Sequence, residues 1–424
     1  MFRKLLTFDE AKKTIQTQFK TRPLGTEEIS LLESTFRVLA ENIVADMDIP
    51  PFDRSTVDGY AVRAEDTFGA EENRPAVLHI SGTVNIGELP QMTVRKGEAA
   101  EIVTGAPMPD GGDAVVMMEY TSCKGDEVTV FNSAAKNENI MKAGSDIKKG
   151  ETVLRKKQLL SSREIGVLAA VGRAKIKVYR VPRIAVLSTG PEITEPGQML
   201  KPGKIYDINA YTLCAAVLES GGKPIYLGVF PDRADELHEA LMRALACSDM
   251  VVTSGGVSVG PKDIMPKTVN ALGKPGIIIG GIALKPGKPT TVASIAGKPI
   301  FSLPGHPTSA LLTFQLFARP LIQAMSGRTN ERPQEVKAVA SMRMFPAKGR
   351  RTFVMVTLKH KKPRGIIAEP LPSSLSGAIM TLAKADGFVE ILDNVQFIDA
   401  GEPIIVKLFK NQTILNSHQT VQGI

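Results

Sequence analysis

The sequence predicts a multidomain protein of the α/β class with additional β lobes: a central doubly wound α/β domain, an inserted β-rich lobe and a C-terminal β domain. Three observations carry that expectation. Between residues 183 and 325, apolar runs of strand length alternate with amphipathic runs of helix length, as in a parallel sheet covered on both faces. Residues 75–153 and 336–409 instead hold short β-rich runs separated by turn residues. A chain of 424 residues also exceeds what one hydrophobic core sustains, so several compact units are expected.

Residues 6–19 place Leu6, Ala11, Ile15 and Phe19 at helical spacing behind Thr7, with Glu10 positioned for a capping box. A second helix is expected over 26–40, with Glu27 and Glu28 in its first turn and Leu31, Leu32 and Leu39 as its stripe. The next stretch crowds Asp46, Asp48, Asp53 and Asp58 around Pro50 and Pro51. Its spacing favours a solvated linker, with Asp53 and Asp58 forming turns, over a ligand site. Short strands at 77–80, 99–104, 114–120, 128–131 and 151–154 form the small β lobe. In that lobe Thr104 stands at a strand end, where its hydroxyl either bonds a ligand or, more commonly, caps the turn that follows. A helix at 161–170 returns the chain to its first helices, which makes the lobe an insertion.

The α/β alternation then begins. Strands are expected at 183–188, 224–229 and 249–253, and helices at 208–220, 234–246 and 308–325. The chain is organised around three glycine-containing loops: Thr253-Ser254-Gly255-Gly256-Val257-Ser258-Val259-Gly260, Lys285-Pro286-Gly287-Lys288-Pro289 and Leu303-Pro304-Gly305-His306-Pro307-Thr308-Ser309. Pro261-Lys262-Asp263 opens a further helix after the first loop. Glycine lets backbone N–H groups approach an oxyanion, and Lys285 and Lys288 add full charges, so the expected ligand is anionic. Glu192, Asp232 and Asp263 each follow the C-terminal end of a strand, the edge where open α/β sheets bind ligands. Each alone is a common helix cap or turn residue; together with the lysines they suggest an Mg²⁺-assisted site for a phosphorylated ligand. Further β runs follow at 336–344, 352–358, 365–369, 388–391 and 403–409, with a helix at 378–385 and a polar end at 411–424.

The composition, 43% hydrophobic and 23% charged, is that of a soluble globular chain. It contains no apolar run able to span a bilayer and no signal-like h-region, which suggests a cytoplasmic protein. Cys123, Cys214 and Cys247 lack metal or disulfide spacing and are expected as buried free thiols. The five histidines form no H-x-x-x-H pair, so any metal should have oxygen ligands. A net charge of +8 suits an acidic partner, but 5% aromatic residues and no Trp argue against a base-stacking nucleic-acid surface.

Six motifs in order carry a family resemblance. They are Val57-Asp58-Gly59-Tyr60-Ala61, Val103-Thr104-Gly105-Ala106-Pro107, Ser188-Thr189-Gly190 and the three glycine loops. The sequence resembles the molybdopterin molybdenumtransferases, also represented by the E domain of gephyrin. The resemblance implies a homodimer of elongated four-domain subunits and Mg²⁺-dependent insertion of molybdate into adenylylated molybdopterin, releasing AMP and molybdenum cofactor. It implies an N-terminal helix (1–24) packed on the α/β domain and a linking domain made of 25–45 with 147–177. The inserted lobe would span 46–146, the α/β domain 178–327 and the C-terminal domain 328–412.

By the same resemblance Asp263, Asp232 and Glu192 sit at the nucleotide and metal, with Asp263 and Glu192 as metal ligands. Ser254, Gly255, Gly256, Ser258, Gly260 and Pro289 would bind substrate. Lys285, Lys288 and Ser309, with Arg350 and Ser376 from the last domain, would cradle molybdate. Asp58, Thr104 and Asp146 would reach the cleft of the partner subunit, and the pathway's adenylyltransferase is an implied partner. The family usually has Asn where His306 stands, and often a basic residue where Gly281 and Met355 stand. Molybdate and tungstate both remain open as the oxyanion. The rival readings are molybdopterin adenylylation, a non-catalytic pterin-nucleotide scaffold and nucleic-acid binding.

Overall fold

The alternation between residues 183 and 325 builds one six-stranded sheet. A computed structural model describes residues 5–19, 22–257, 264–329, 334–361, 365–372 and 379–409. The strand order is Lys223–Phe230, Arg183–Thr189, Met250–Ser254, Lys298–Leu303, Thr291–Ile295 and Pro275–Ile279. The first four strands are parallel, and all five residues of Met250–Ser254 are buried, as a strand covered on both faces requires. The last two pair antiparallel, which corrects the expectation of a wholly parallel sheet. Thr291–Ile295 and Lys298–Leu303 are joined by Ala296 and Gly297, both at left-handed φ, +48° and +78°. Such a two-residue turn closes a hairpin without a crossover helix.

Helices Asn209–Glu219 and Pro307–Thr313 pack on one face around Val186, Val252, Phe301 and Phe314. Helices Ala234–Cys247 and Ile264–Ala271 cover the other around Leu187, Leu241, Val251 and Ile300. The order reverses between Arg183–Thr189 and Met250–Ser254, because the chain leaves the first strand for one side and returns on the other. A crevice therefore opens beyond their C-terminal ends, where a doubly wound sheet takes its ligand.

The expected helix at 308–325 is interrupted by a π-helical turn at Phe314–Ala318 before continuing as Arg319–Met325. Pro320 has no N–H to donate to the preceding turn, which disrupts the regular ladder there. The N-terminal helix Phe8–Gln18 carries the expected Thr7/Glu10 capping box. Its Phe8 ring lies 5.5 Å from both Phe317 of the α/β domain and Phe353 of the C-terminal sheet.

The helix expected over 26–40 does not form. Thr26–Ser30 is a strand, Leu31–Glu33 a 3₁₀ turn, and Phe36 has a left-handed φ of +62°. The supposed stripe fails because Leu32 is 92% exposed whereas Leu39 is fully buried, so these leucines share no helical face.

In the C-terminal sheet, Arg351–Lys361, Gly365–Pro370, Glu335–Ala340, Pro403–Leu408 and Gly387–Ile391 follow one another, and the last pairs back on the first. Its core holds Val356, Ala368, Val389 and Val406. A sixth, two-residue strand, Leu284–Lys285, comes from the α/β domain and pairs parallel with it at Leu284↔Arg351 and Lys285↔Thr352.

The N-terminal helix, the α/β domain and the C-terminal sheet belong to one unit, comprising Met1–Glu27, Phe36–Ala40 and Val178–Ile424. The other unit, Glu28–Thr35 with Glu41–Lys177, holds a six-stranded sheet. Its order is Ala114–Met117, Gly59–Val62, Glu98–Ile102, Ala76–Val84, Glu127–Val130 and Thr121–Lys124. Helix Ser162–Ala170, with a capping box formed by Ser161 and Glu164, lies in the same unit. The thiols are not uniformly buried as expected: Cys214 and Cys247 are half-buried, and Cys123 is exposed on the edge strand Thr121–Lys124. Among the described residues no helix is long and apolar enough to cross a membrane.

Candidate functional site

The crevice at the switch point is a cavity of about 530 Å³. Its walls include Ser188, Thr189 and Gly190 from one strand end, and Ser254, Gly255 and Gly256 from the next. Gly255 has φ +96°, and a Cβ there would lie 2.0 Å from the Thr189 carbonyl oxygen. Only glycine allows the two strand-end loops to approach this closely. Glu192 and Asp232, both expected at the ligand edge, line this chamber. The Thr189 hydroxyl donates to Asp232 Oδ1, which fixes that carboxylate against the strand end.

Two further residues of this wall, Asp207 and Asn209, are not evident in the sequence. Asp207 is only 3% exposed, and its Oδ1 accepts the Ala210 N–H at 3.0 Å, capping helix Asn209–Glu219. Burial, and then the Asp207 charge, push the neighbouring Cys214 thiol up to about 11. Asn209 Nδ2 donates to Ser254 Oγ and to the Gly305 carbonyl, each at 2.7 Å. Ser254 Oγ in turn donates to the Pro304 carbonyl at 3.4 Å. One buried amide thus joins a helix start to two of the glycine loops. The available signal was an Asp-x-Asn pair at a helix N-terminus, a common capping pattern.

A second cavity of about 660 Å³ adjoins the first and shares Pro289, Pro304 and His306 with it. Lys285, Lys288, Ser309 and Arg350 all line it. The short parallel pairing of Leu284–Lys285 with Arg351 and Thr352 brings Arg350 beside the lysine loop. Arg351 N donates to the Ala283 carbonyl at 3.0 Å, and Arg350 N to Ala347 O at 3.0 Å, so the backbone around Arg350 is held on both sides. Lys285, Lys288 and Arg350 have no ion-pair partner among the described residues. Arg343, a further cation of this wall, is instead tied to Asp399 at 2.5 Å and lies over the Phe397 ring. The chamber therefore presents three uncompensated cations beside an acidic chamber, an arrangement suited to an oxyanion.

Gly281 and Met355 have local structural explanations. Gly281 has φ +138°, and a Cβ there would lie 2.7 Å from Leu5 Cδ2. Its carbonyl accepts the Leu6 N–H at 3.3 Å as the N-terminal segment pairs alongside Ile282. Met355 is buried in the core shared by the N-terminal helix and the C-terminal sheet.

The second unit brings together two more of the expected residues. Asp58 Oδ1 accepts the Thr104 N–H at 2.6 Å and its hydroxyl at 2.8 Å. These bonds hold the Asp58 carboxyl below the usual carboxylate range. Asp146 is exposed in the same unit, its backbone N–H bonded to Ile49 O at 3.1 Å. Ser258, Gly260, Asp263 and Ser376 lie outside the described residues. Among the described residues no group of three or more His, Cys, Asp or Glu side chains could hold a metal.

Comparison with known proteins covers nearly the whole chain. Residues 6–172 match the MoeA N-terminal region (domain I and II). Residues 185–324 match a probable molybdopterin binding domain, and residues 337–409 the MoeA C-terminal region (domain IV). Molybdopterin molybdenumtransferase 2 of Mycobacterium tuberculosis (strain ATCC 25618 / H37Rv) is 33% identical over 89% of this chain and 94% of its own length. The molybdopterin molybdenumtransferase of Haemophilus influenzae is 32% identical over 96% of this chain and 99% of its own. A crystal structure of the molybdopterin biosynthesis MoeA protein from Pyrococcus horikosii matches with TM-score 0.81 and 40% identity, covering 96% of this chain and 100% of that one.

Proposed function

This chain belongs to the MoeA family of molybdopterin molybdenumtransferases, and we propose that it inserts molybdate into adenylylated molybdopterin, releasing AMP and molybdenum cofactor. It is an enzyme of molybdenum cofactor biosynthesis. The observation that carries the finer reading is the cleft's division into an acidic chamber and an adjoining one lined by Lys285, Lys288 and Arg350, none ion-paired among the described residues.

Molybdate is a dianion that must come close to a phosphate-bearing ligand. The lysines and Arg350 offset that repulsion, and the backbone hydrogen bonds around Arg350 hold it beside the lysine loop. Ser309, buried in the same wall, offers a hydroxyl to the oxyanion. On the acidic side, Asp232 is oriented by Thr189, and the glycine loop leaves backbone close to the ligand.

The donors of the acidic chamber fit Mg²⁺, which takes hard oxygen ligands and needs only one or two carboxylates beside substrate phosphate. Glu192 of this chamber and, by the family resemblance, Asp263 would hold the ion, and bound Mg²⁺ would supply polarisation of the phosphoanhydride. The family resemblance supports a homodimer in which Asp58, Thr104 and Asp146 serve the partner's cleft, and a cytoplasmic site of action.

The test is to mix the protein with adenylylated molybdopterin, Mg²⁺ and molybdate, and to measure AMP release together with pterin-bound molybdenum. Molybdate-dependent release that is lost in Lys285→Ala is the expected result. Tight nucleotide binding with no release would overturn the transferase reading in favour of a scaffold.

A further inference from the structure

Pro289, Pro304 and His306 line both chambers. Of the three, only His306 carries a side chain that can hydrogen-bond. Its backbone is held firmly. Pro307 follows it, its carbonyl accepts the Ala310 N–H at 2.9 Å, and the loop before it is tied down through the Asn209 bond to the Gly305 carbonyl at 2.7 Å. Its imidazole is not held. His306 occupies the N-cap position of helix Pro307–Thr313, yet the ring makes no capping bond, stands exposed and has no ion-pair partner among the described residues.

The charged groups around this seam are arranged by side. Glu192, Asp207 and Asp232 line the first chamber, and Lys285, Lys288, Arg343 and Arg350 the second. A ligand extending through both would run past the residues the chambers share, with an anionic linkage between its two ends falling beside His306.

We propose that His306 is a ligand-binding residue of this cleft, donating an imidazole N–H to a phosphate oxygen of a ligand that spans both chambers. The proposal rests on the transferase reading only in taking the two chambers as one cleft for a phosphate-bearing ligand.

The test measures AMP, inorganic pyrophosphate and molybdate binding by calorimetry at fixed Mg²⁺, with wild-type protein, His306→Phe and His306→Asn. Loss of a hydrogen bond to an anionic oxygen should weaken AMP and pyrophosphate binding by about tenfold in His306→Phe. His306→Asn keeps an N–H donor on its side chain and should recover part of that loss. Molybdate, seated among the lysines, should change by less than about twofold.

Unchanged phosphate affinity in a folded His306→Phe would overturn the inference while leaving the transferase reading intact. Equal weakening of molybdate would overturn it too, by showing a general disturbance of the cleft. Failure of wild-type protein to bind AMP, pyrophosphate or molybdate would overturn both.

Discussion

The side-chain amide of Asn209 stands 2.7 Å from the carbonyl oxygen of Gly305 and donates to it, tying the first residue of a helix to the loop that carries His306. The same Nδ2 reaches Ser254 Oγ, so the amide is oriented by an obligate acceptor and joins two strand-end loops. Replacing it with alanine leaves the loops without this tie. Asn209→Ala should lower the unfolding free energy by about 1–3 kcal/mol and also weaken nucleotide binding. Urea unfolding paired with AMP titration checks both. A stability loss with unaltered affinity would mean that the clamp does not position the site.

The cations of the second chamber should behave in the opposite way. Lys285, Lys288 and Arg350 form no ion pair among the described residues, so their removal breaks no folded-state salt bridge. Alanine at any one should leave the thermal midpoint within about 2 °C of wild type while weakening molybdate binding about tenfold. Arg350→Lys should restore only part of that loss, since an ammonium cannot reproduce the planar fork of a guanidinium. Thermal scans and molybdate calorimetry on the same preparations separate the two effects.

In the other unit, Asp58 accepts two bonds from Thr104, and the sign of their pH effect follows from the depressed carboxyl pKa. A group whose pKa is lower when folded binds fewer protons in the folded state. Its stabilisation is complete above the unfolded value, near 3.8, and fades as pH falls through the folded one. Wild-type protein should lose stability over that acid window more steeply than Asp58→Asn, which has no carboxyl to titrate. Unfolding midpoints followed from about pH 6 down to about pH 2 provide the comparison. Parallel curves would show that the pair contributes nothing to acid sensitivity.

The elements that gather this cleft differ in how clearly they show in sequence. The strands and helices between 183 and 325 have strong periodicity, and the strand ends that carry Glu192, Asp232, Ser254 and Gly255 could be read from it. Arg350 could not be joined to Lys285 by any local pattern. The pairing that does so is a two-residue strand, Leu284–Lys285, too short to have a period. Asp207 and Asn209 were hidden for a related reason, because a cap and an amide clamp are chemically ordinary until tertiary structure shows what they hold. The false helix at 26–40 came from counting leucines without knowing their burial, and Leu32 and Leu39 lie at opposite extremes.

Gly281 tests whether a family-like basic residue would improve anion binding here. Its φ of +138° lies in the region that side chains rarely adopt, and a Cβ would meet Leu5 Cδ2 at 2.7 Å. Leu5 can rotate away, so the lasting cost is backbone strain, about 1–3 kcal/mol. Gly281→Ala and Gly281→Lys should therefore lose similar stability by urea unfolding. Gly281 lines neither chamber, and the atoms nearest its Cβ are Leu5 Cδ2 at 2.7 Å and the Lys288 carbonyl oxygen at 3.4 Å. With its Cβ aimed at Leu5 and the Lys288 backbone and not into either chamber, the added lysine charge should leave molybdate affinity within about twofold of the alanine variant. A lysine variant that binds molybdate about tenfold more tightly than alanine would mean that this segment can turn its side chain into the basic chamber.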